Sequence, residues 1–299
     1  MKRLVRPATP PEFIAYLIRI RDAKIVKPGG IDHKAILTSN HDQIALCFNA
    51  FETAVGTGEL HQMTPSPALG AIADSLRSCY AGTTLGVRRV KEAVASAQPP
   101  RLLKYCPLCG TTLPRTHDHY LPESKFPEFS VHALNLVPCC AQCNSIKDNN
   151  WLDATGKRQY LHLFSDEVPV GGFLFVTLKE LPSSGGVGAL FHLKRPTNVS
   201  ESVWELIESH YSRLHLLERY SEQVNDEIAE ILADCAIYLQ EGGTSASAFL
   251  SRRATERASV YGASHWRVVL MQALSGSPRL SVWISAMSPS LALALPSET

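Results

Sequence analysis

Two Cys-x-x-Cys pairs, Cys106/Cys109 and Cys140/Cys143, stand out among the chemistry-bearing residues of this chain. Zn²⁺ takes four soft ligands in a tetrahedron, and two such pairs joined by a loop supply them with little strain. The intervening segment is long enough for a β-hairpin to fit between the first pair and a following helix. Zinc held there acts as a staple. It contributes folding energy that a short segment with few large apolar residues lacks. Cys139 adjoins the second pair, but only Cys140 repeats the spacing of the first, so Cys139 reads as a buried spectator.

Inside the staple lie residues that a purely structural zinc module has no use for. Phosphodiester hydrolysis needs a base for water, a divalent cation against the developing charge, and stabilisation of the departing oxygen. Asp118 is a hard oxygen ligand suited to Mg²⁺ or a similar ion. His119 has a near-neutral pKa suited to accepting a proton. Asn144 follows the last cysteine, in the first turn of an expected helix, where its amide oxygen can face Asp118 as a second ligand. Asn135 precedes the second pair, where its side chain can bond backbone and fix the loop that orients His119. Strict strand alternation puts Asp118 and His119 on opposite faces. Both serve one site only if the strand ends or bulges there, as Tyr120-Leu121-Pro122 allows.

In this order, Cys-x-x-Cys, Asp-His-x-x-Pro, Asn-Leu and Cys-x-x-Cys-Asn-x-x-Lys resemble the HNH endonuclease family, whose fold is a ββα-metal finger. The resemblance implies His119 as general base, Asp118 and Asn144 as ligands of the catalytic divalent ion, and Asn135 as the loop-shaping asparagine. It also implies that Cys106, Cys109, Cys140 and Cys143 hold a structural zinc. The last motif position, often His in the family, is Asn here, which bears on metal choice more than on activity. DNA is the substrate the family implies. The general layout resembles effectors of bacterial anti-phage defence, which often work beside an ATPase or sensor, with a mobile-element or restriction nuclease as the alternative. The competing expectation is a catalytically idle zinc module that binds nucleic acid or protein.

Around the motif, Lys147 lies three residues beyond Asn144 on the same helical face, as a phosphate contact or a solvated lysine. Arg115 and Lys125 flank the site and could steer a substrate backbone. Arg88, Arg89, Lys91, Arg101 and Lys104 form a basic run that either tracks phosphate or is a solvated face. His117 would share a face with His119, as a supporting group or as an exposed strand histidine.

The elements that must position these residues are mostly helical. Phe13, Leu17 and Ile18 mark a short first helix. Ile44, Leu46, Cys47, Phe48, Phe51 and Val55 mark another, with Ser39 or Asn40 as cap. Helices are expected at 67–80 and 85–97, and Gln98-Pro99-Pro100 breaks the second. Phe173–Leu178 and Ala189–Leu193 read as strands able to pair across a Ser-Ser-Gly-Gly turn. Residues 200–240 form an acidic helical stretch, either solvated or a partner-docking surface, in which His210 and His215 read as packing residues. Helices follow at 246–258 and 265–274, with Trp266 in the core, and the last ~15 residues read as a tail or packing segment. The fold class is mainly α with a small α+β insert. A helical region (1–100) precedes the nuclease module (101–160), and a mostly helical region with a short hairpin (161–299) follows.

Composition sets the outer bounds. Hydrophobic residues make up 45% and charged residues 19%, which excludes a disordered chain. The net charge of +1 provides no global attraction to phosphates, so binding must rest on local patches. No signal-peptide pattern and no membrane-length apolar run appear, and the cysteine pairing suits a reducing compartment. A cytoplasmic protein without membrane contact is expected.

Overall fold

A computed structural model of the chain describes residues 2–8, 12–81, 84–181 and 186–292. It is mainly helical with two small antiparallel sheets. The expected Ser183-Ser184-Gly185-Gly186 turn and the last seven residues of the expected tail lie largely or wholly outside the described residues. The chain forms two compact units, Arg3–Glu167 and the part from Val168 onward, the latter with Lys2. Among the described residues no helix is long and apolar enough to cross a membrane.

The first unit contains α1 (Phe13–Asp22), α2 (His33–Ser39), α3 (His41–Thr57), α4 (Pro67–Gly70), α5 (Ala73–Arg77), α6 (Leu85–Ser96), β1 (Thr116–His119), β2 (Leu136–Cys139) and α7 (Ala141–Lys147). Helix α3 buries Ile44, Phe48, Phe51 and Val55 at helical spacing. Leu46 falls off that stripe and is exposed. Helix α2 was not marked by periodicity; Asp32 caps it by accepting from the Ala35 amide at 2.8 Å. Asn40 does not cap α3 with its side chain. Its amide instead donates back to the Ile36 carbonyl at 2.8 Å. The helix expected at 67–80 divides into α4 and α5, with Tyr80 in the turn beyond them. Helix α6 buries Val87, Val90 and Val94 and stops before Gln98. The Gln98 side chain donates to the Val94 and Val5 carbonyls, each at 2.8 Å. The Leu4 amide, next along, donates to the Leu163 carbonyl at 2.8 Å, so the unit's two ends are joined.

These helices enclose the cysteine-containing segment. Phe129, in the loop between β1 and β2, stacks on Phe51 with ring centroids 4.7 Å apart. His132 meets the edges of Phe48 and Phe51 at 4.6 and 4.8 Å. The segment therefore shares the aromatic core of α3 as well as its cysteines.

The second unit pairs β3 (Leu174–Leu181) with β4 (Gly186–Leu193), Leu174 opposite Leu193. Helices α8 (Glu201–Arg213), α9 (Leu216–Gln240), α10 (Ala246–Tyr261), α11 (Trp266–Ser275) and α12 (Leu280–Ala292) follow. The acidic stretch is two helices because His215 takes φ +52°, outside the helical region. It is not wholly solvated: Glu227 is buried and accepts from Arg267 at 2.6 Å. His210 and Trp266 are buried, and Trp266 stacks on Tyr220 at 5.6 Å. The described part of the expected tail continues α12, which packs on α9 and buries Leu280, Trp283 and Ile284 just ahead of it.

Candidate active site

The sulfur atoms of Cys106, Cys109, Cys140 and Cys143 lie within 4.8 Å of one another, and all four residues are buried. A tetrahedral Zn²⁺ site with ~2.3 Å bonds has edges of about 3.8 Å. The Cys109 and Cys140 sulfurs are 3.9 Å apart. The donor set fits a structural zinc. Local backbone builds the pocket. Gly110, at φ +72°, lets the chain double back so that its amide donates to the Cys106 carbonyl at 2.7 Å. Amides also point at sulfur, Cys140 N at Cys106 Sγ (3.3 Å) and Cys143 N at Cys140 Sγ (3.4 Å), which favours the thiolate forms that bind metal. Cys139 stands apart: its sulfur lies 3.3 Å from Thr116 Oγ1, and burial pushes its thiol up to about 12.

Between the cysteine pairs, β1 and β2 are antiparallel, with Asp118 opposite Val137 and His119 opposite Leu136, and α7 follows. The order is ββα. Strand β1 ends at His119, and Asn135 fixes the turn beyond it. The Asn135 amide oxygen accepts from Leu121 N at 2.8 Å. Its nitrogen donates to the carbonyls of Leu121 (3.1 Å) and Phe129 (3.2 Å). With the strand finished, Asp118 and His119 border the same cleft despite strict alternation. That cleft, of about 660 Å³, is also bordered by Asn144, His117, Arg115, Lys91 and Tyr80.

The histidine is held in one orientation. His119 Nε2 lies 2.8 Å from the Ser130 carbonyl, which only accepts, so Nε2 carries the proton and Nδ1 keeps its lone pair. Ser130 is itself tied down by its hydroxyl, which donates to the Leu76 carbonyl at 3.0 Å. Tyr80 meets the imidazole edge-on at 4.5 Å. Burial, and then the charges of Lys147 and Lys91, push His119 down to about 4, so the ring is neutral at pH 7. His117 is not an exposed strand histidine. It is half-buried in the cleft and pushed down to about 4 by burial, Lys91 and His119.

Lys147 departs most from both expectations. It is 1% exposed, neither solvated nor available at the surface for phosphate. Cys143, four residues earlier on the same helical face, is drawn into the sulfur cluster, and Lys147 is turned inward with it. Its ammonium lies 3.0 Å from Asp118 Oδ2 and 3.2 Å from Oδ1, and donates to the His119 carbonyl at 2.9 Å. Asp118 is 3% exposed. Burial pushes its carboxyl up while Lys147 pulls it down. Asp118 and Asn144 border the same cleft and carry oxygens of the kind a hard ion takes, and the Lys147 ammonium already lies on the Asp118 carboxylate. Among the described residues, the four cysteines are the cluster of three or more His, Cys, Asp or Glu side chains close enough to share a metal.

Of the flanking cations, Arg115 is exposed and borders the cleft, whereas Lys125 is exposed and does not. Sequence reading missed Tyr80, which it placed on a helix, and the Ser130 carbonyl. No pattern in the chain marks either as belonging to the site.

No protein-family model matches the chain, and no solved structure matches it. Protein ea31 of Escherichia phage lambda is 28% identical over 129 residues, which covers 42% of this chain. The chain spans 43% of the length of that relative.

Proposed function

We propose that the protein is a metal-dependent endonuclease of the HNH type that hydrolyses phosphodiester bonds of DNA. The observation that carries this reading is the convergence of Asp118, His119 and Asn144 on one cleft, with the His119 ring oriented by the Ser130 carbonyl.

In this mechanism a water at the cleft gives its proton to Nδ1 of His119 and attacks phosphorus. Burial keeps the imidazole unprotonated and free to accept, at a cost in its strength as a base. Asn135 acts through the turn that ends β1 and so positions the base. Asp118 and Asn144 would hold the divalent ion, which supplies charge neutralisation for the phosphorus centre and the departing 3′-oxygen. The cysteines hold the frame. The flanking helices carry no recognisable sequence-specific reader. Target choice or activation is accordingly delegated to a partner, such as the ATPase or sensor of an anti-phage defence system.

The Lys147–Asp118 pair favours a second reading, a zinc module without catalysis that binds nucleic acid or protein. A plasmid-nicking assay with Mg²⁺ or Mn²⁺, with EDTA as control, separates the two. The first reading expects cleavage that EDTA stops and that His119→Ala abolishes with zinc content unchanged. Cleavage by His119→Ala at the parental rate would overturn it.

A further inference from the structure

We infer that Lys91, on α6 and outside the cysteine-bounded segment, seats a DNA phosphate beside His119 in the cleft. The inference rests on the nuclease reading for its substrate class, but on separate geometry. Lys91 follows the buried Val90 on α6, a helix that packs on β2. Its ammonium sits 4.7 Å from the centroid of the Tyr80 ring. Tyr80 in turn meets His119 edge-on at 4.5 Å. All three side chains border the same cleft.

Lys147, the other lysine at this site, is neutralised by Asp118. Among the described residues no carboxylate lies within ion-pair distance of Lys91. Glu123 and Asp148 border the same cleft without pairing to Lys91, and a half-buried cation against an aromatic face with no carboxylate on it is suited to an anion. Arg115, the residue just before β1, borders the same cleft and adds a second positive charge. The anion is a backbone phosphate, not a base edge, because an ammonium reads charge without sequence.

The test measures binding of a 20-base-pair DNA duplex to the full-length protein in EDTA, across a salt series, in parallel with the nicking assay. Lys91→Met keeps the stem over Tyr80 and removes the charge; Lys91→Arg keeps the charge. Lys27→Met removes an exposed lysine away from the cleft. Zinc content and the thermal melt check folding of each variant. The expected result is weaker binding by Lys91→Met for any sequence, with the salt slope reduced by about 0.9, near-parental binding by Lys91→Arg, and no change for Lys27→Met. Parental binding by Lys91→Met, an equal loss in Lys27→Met, or no binding by the parent overturns the inference. If the parent binds DNA through Lys91 yet fails to cut it with Mg²⁺ or Mn²⁺, the nuclease reading fails and the phosphate seat stands.

Discussion

Asp118 and Lys147 form a pair of opposite charges, both almost fully buried. Such a pair adds little net stability over an apolar pair of the same volume, but removing one member strands the other. Lys147→Met should therefore cost about 3 kcal/mol or more in urea unfolding. Asp118→Asn combined with Lys147→Met should cost less than the sum of the single changes. A loss under ~0.5 kcal/mol for Lys147→Met, the range of a surface change, would show that the ammonium is hydrated in solution. Nothing in the sequence announced this pairing. The spacing put Lys147 on the face of Asn144, but the direction of that face was set by Cys143 entering the sulfur cluster. Asn135 was legible for the opposite reason: its bonds run to backbone close by in the chain.

At the scale of elements, α7 has only seven residues, far below the length at which a helix holds itself in water. Cys140 and Cys143 anchor its start to Cys106 and Cys109. Removing metal with a strong chelator should release close to one zinc per chain and strip protection from exchange from the α7 amides first. Cys143→Ser should do the same without chelator. Protection in α3 should outlast it, since the stacked Phe51 and Phe129 rings remain. Equal and simultaneous loss in α3 and α7 would mean that the metal supports the whole unit. The cysteine spacing and the ββα order could be read from the chain because both are local. The sequence predicts unbroken helices at 67–80 and 200–240 because the breaks in them depend on backbone conformation, as at His215.

Across the whole first unit, several histidines are kept from protonating. His162 is fully buried, with Nε2 on the Leu134 carbonyl at 2.9 Å, and burial pushes it from 6.5 down to about 4. His117 and His119 are pushed down to about 4 as well, and His132 is lowered by burial. Between pH 6.5 and about 4 the unfolded chain binds protons at these sites that the folded chain refuses. Stability is therefore lost as pH falls through that window and is insensitive to these groups above it. His162 alone contributes roughly 3 kcal/mol by this route. Urea midpoints should fall steeply from pH 6.5 to 4, less steeply in His162→Gln. A flat profile over that range would mean that the imidazoles reach solvent in the folded protein. None of this was legible beforehand, because a histidine's burial depends on helices distant in sequence, as His132 depends on Phe48 and Phe51.

The join between Leu4 and Leu163 has a consequence for how the protein is made. Leu4 leaves the ribosome well before its partner Leu163, which follows only when the unit is nearly complete. The four cysteines emerge in between, so a nascent chain can take up zinc while the Leu4 amide still lacks the carbonyl of Leu163. Domains fold as units during synthesis, and contacts distant along the chain form late. Metal loading would then precede closure of the unit, and a chain stalled before Leu163 would hold its staple but have an open end.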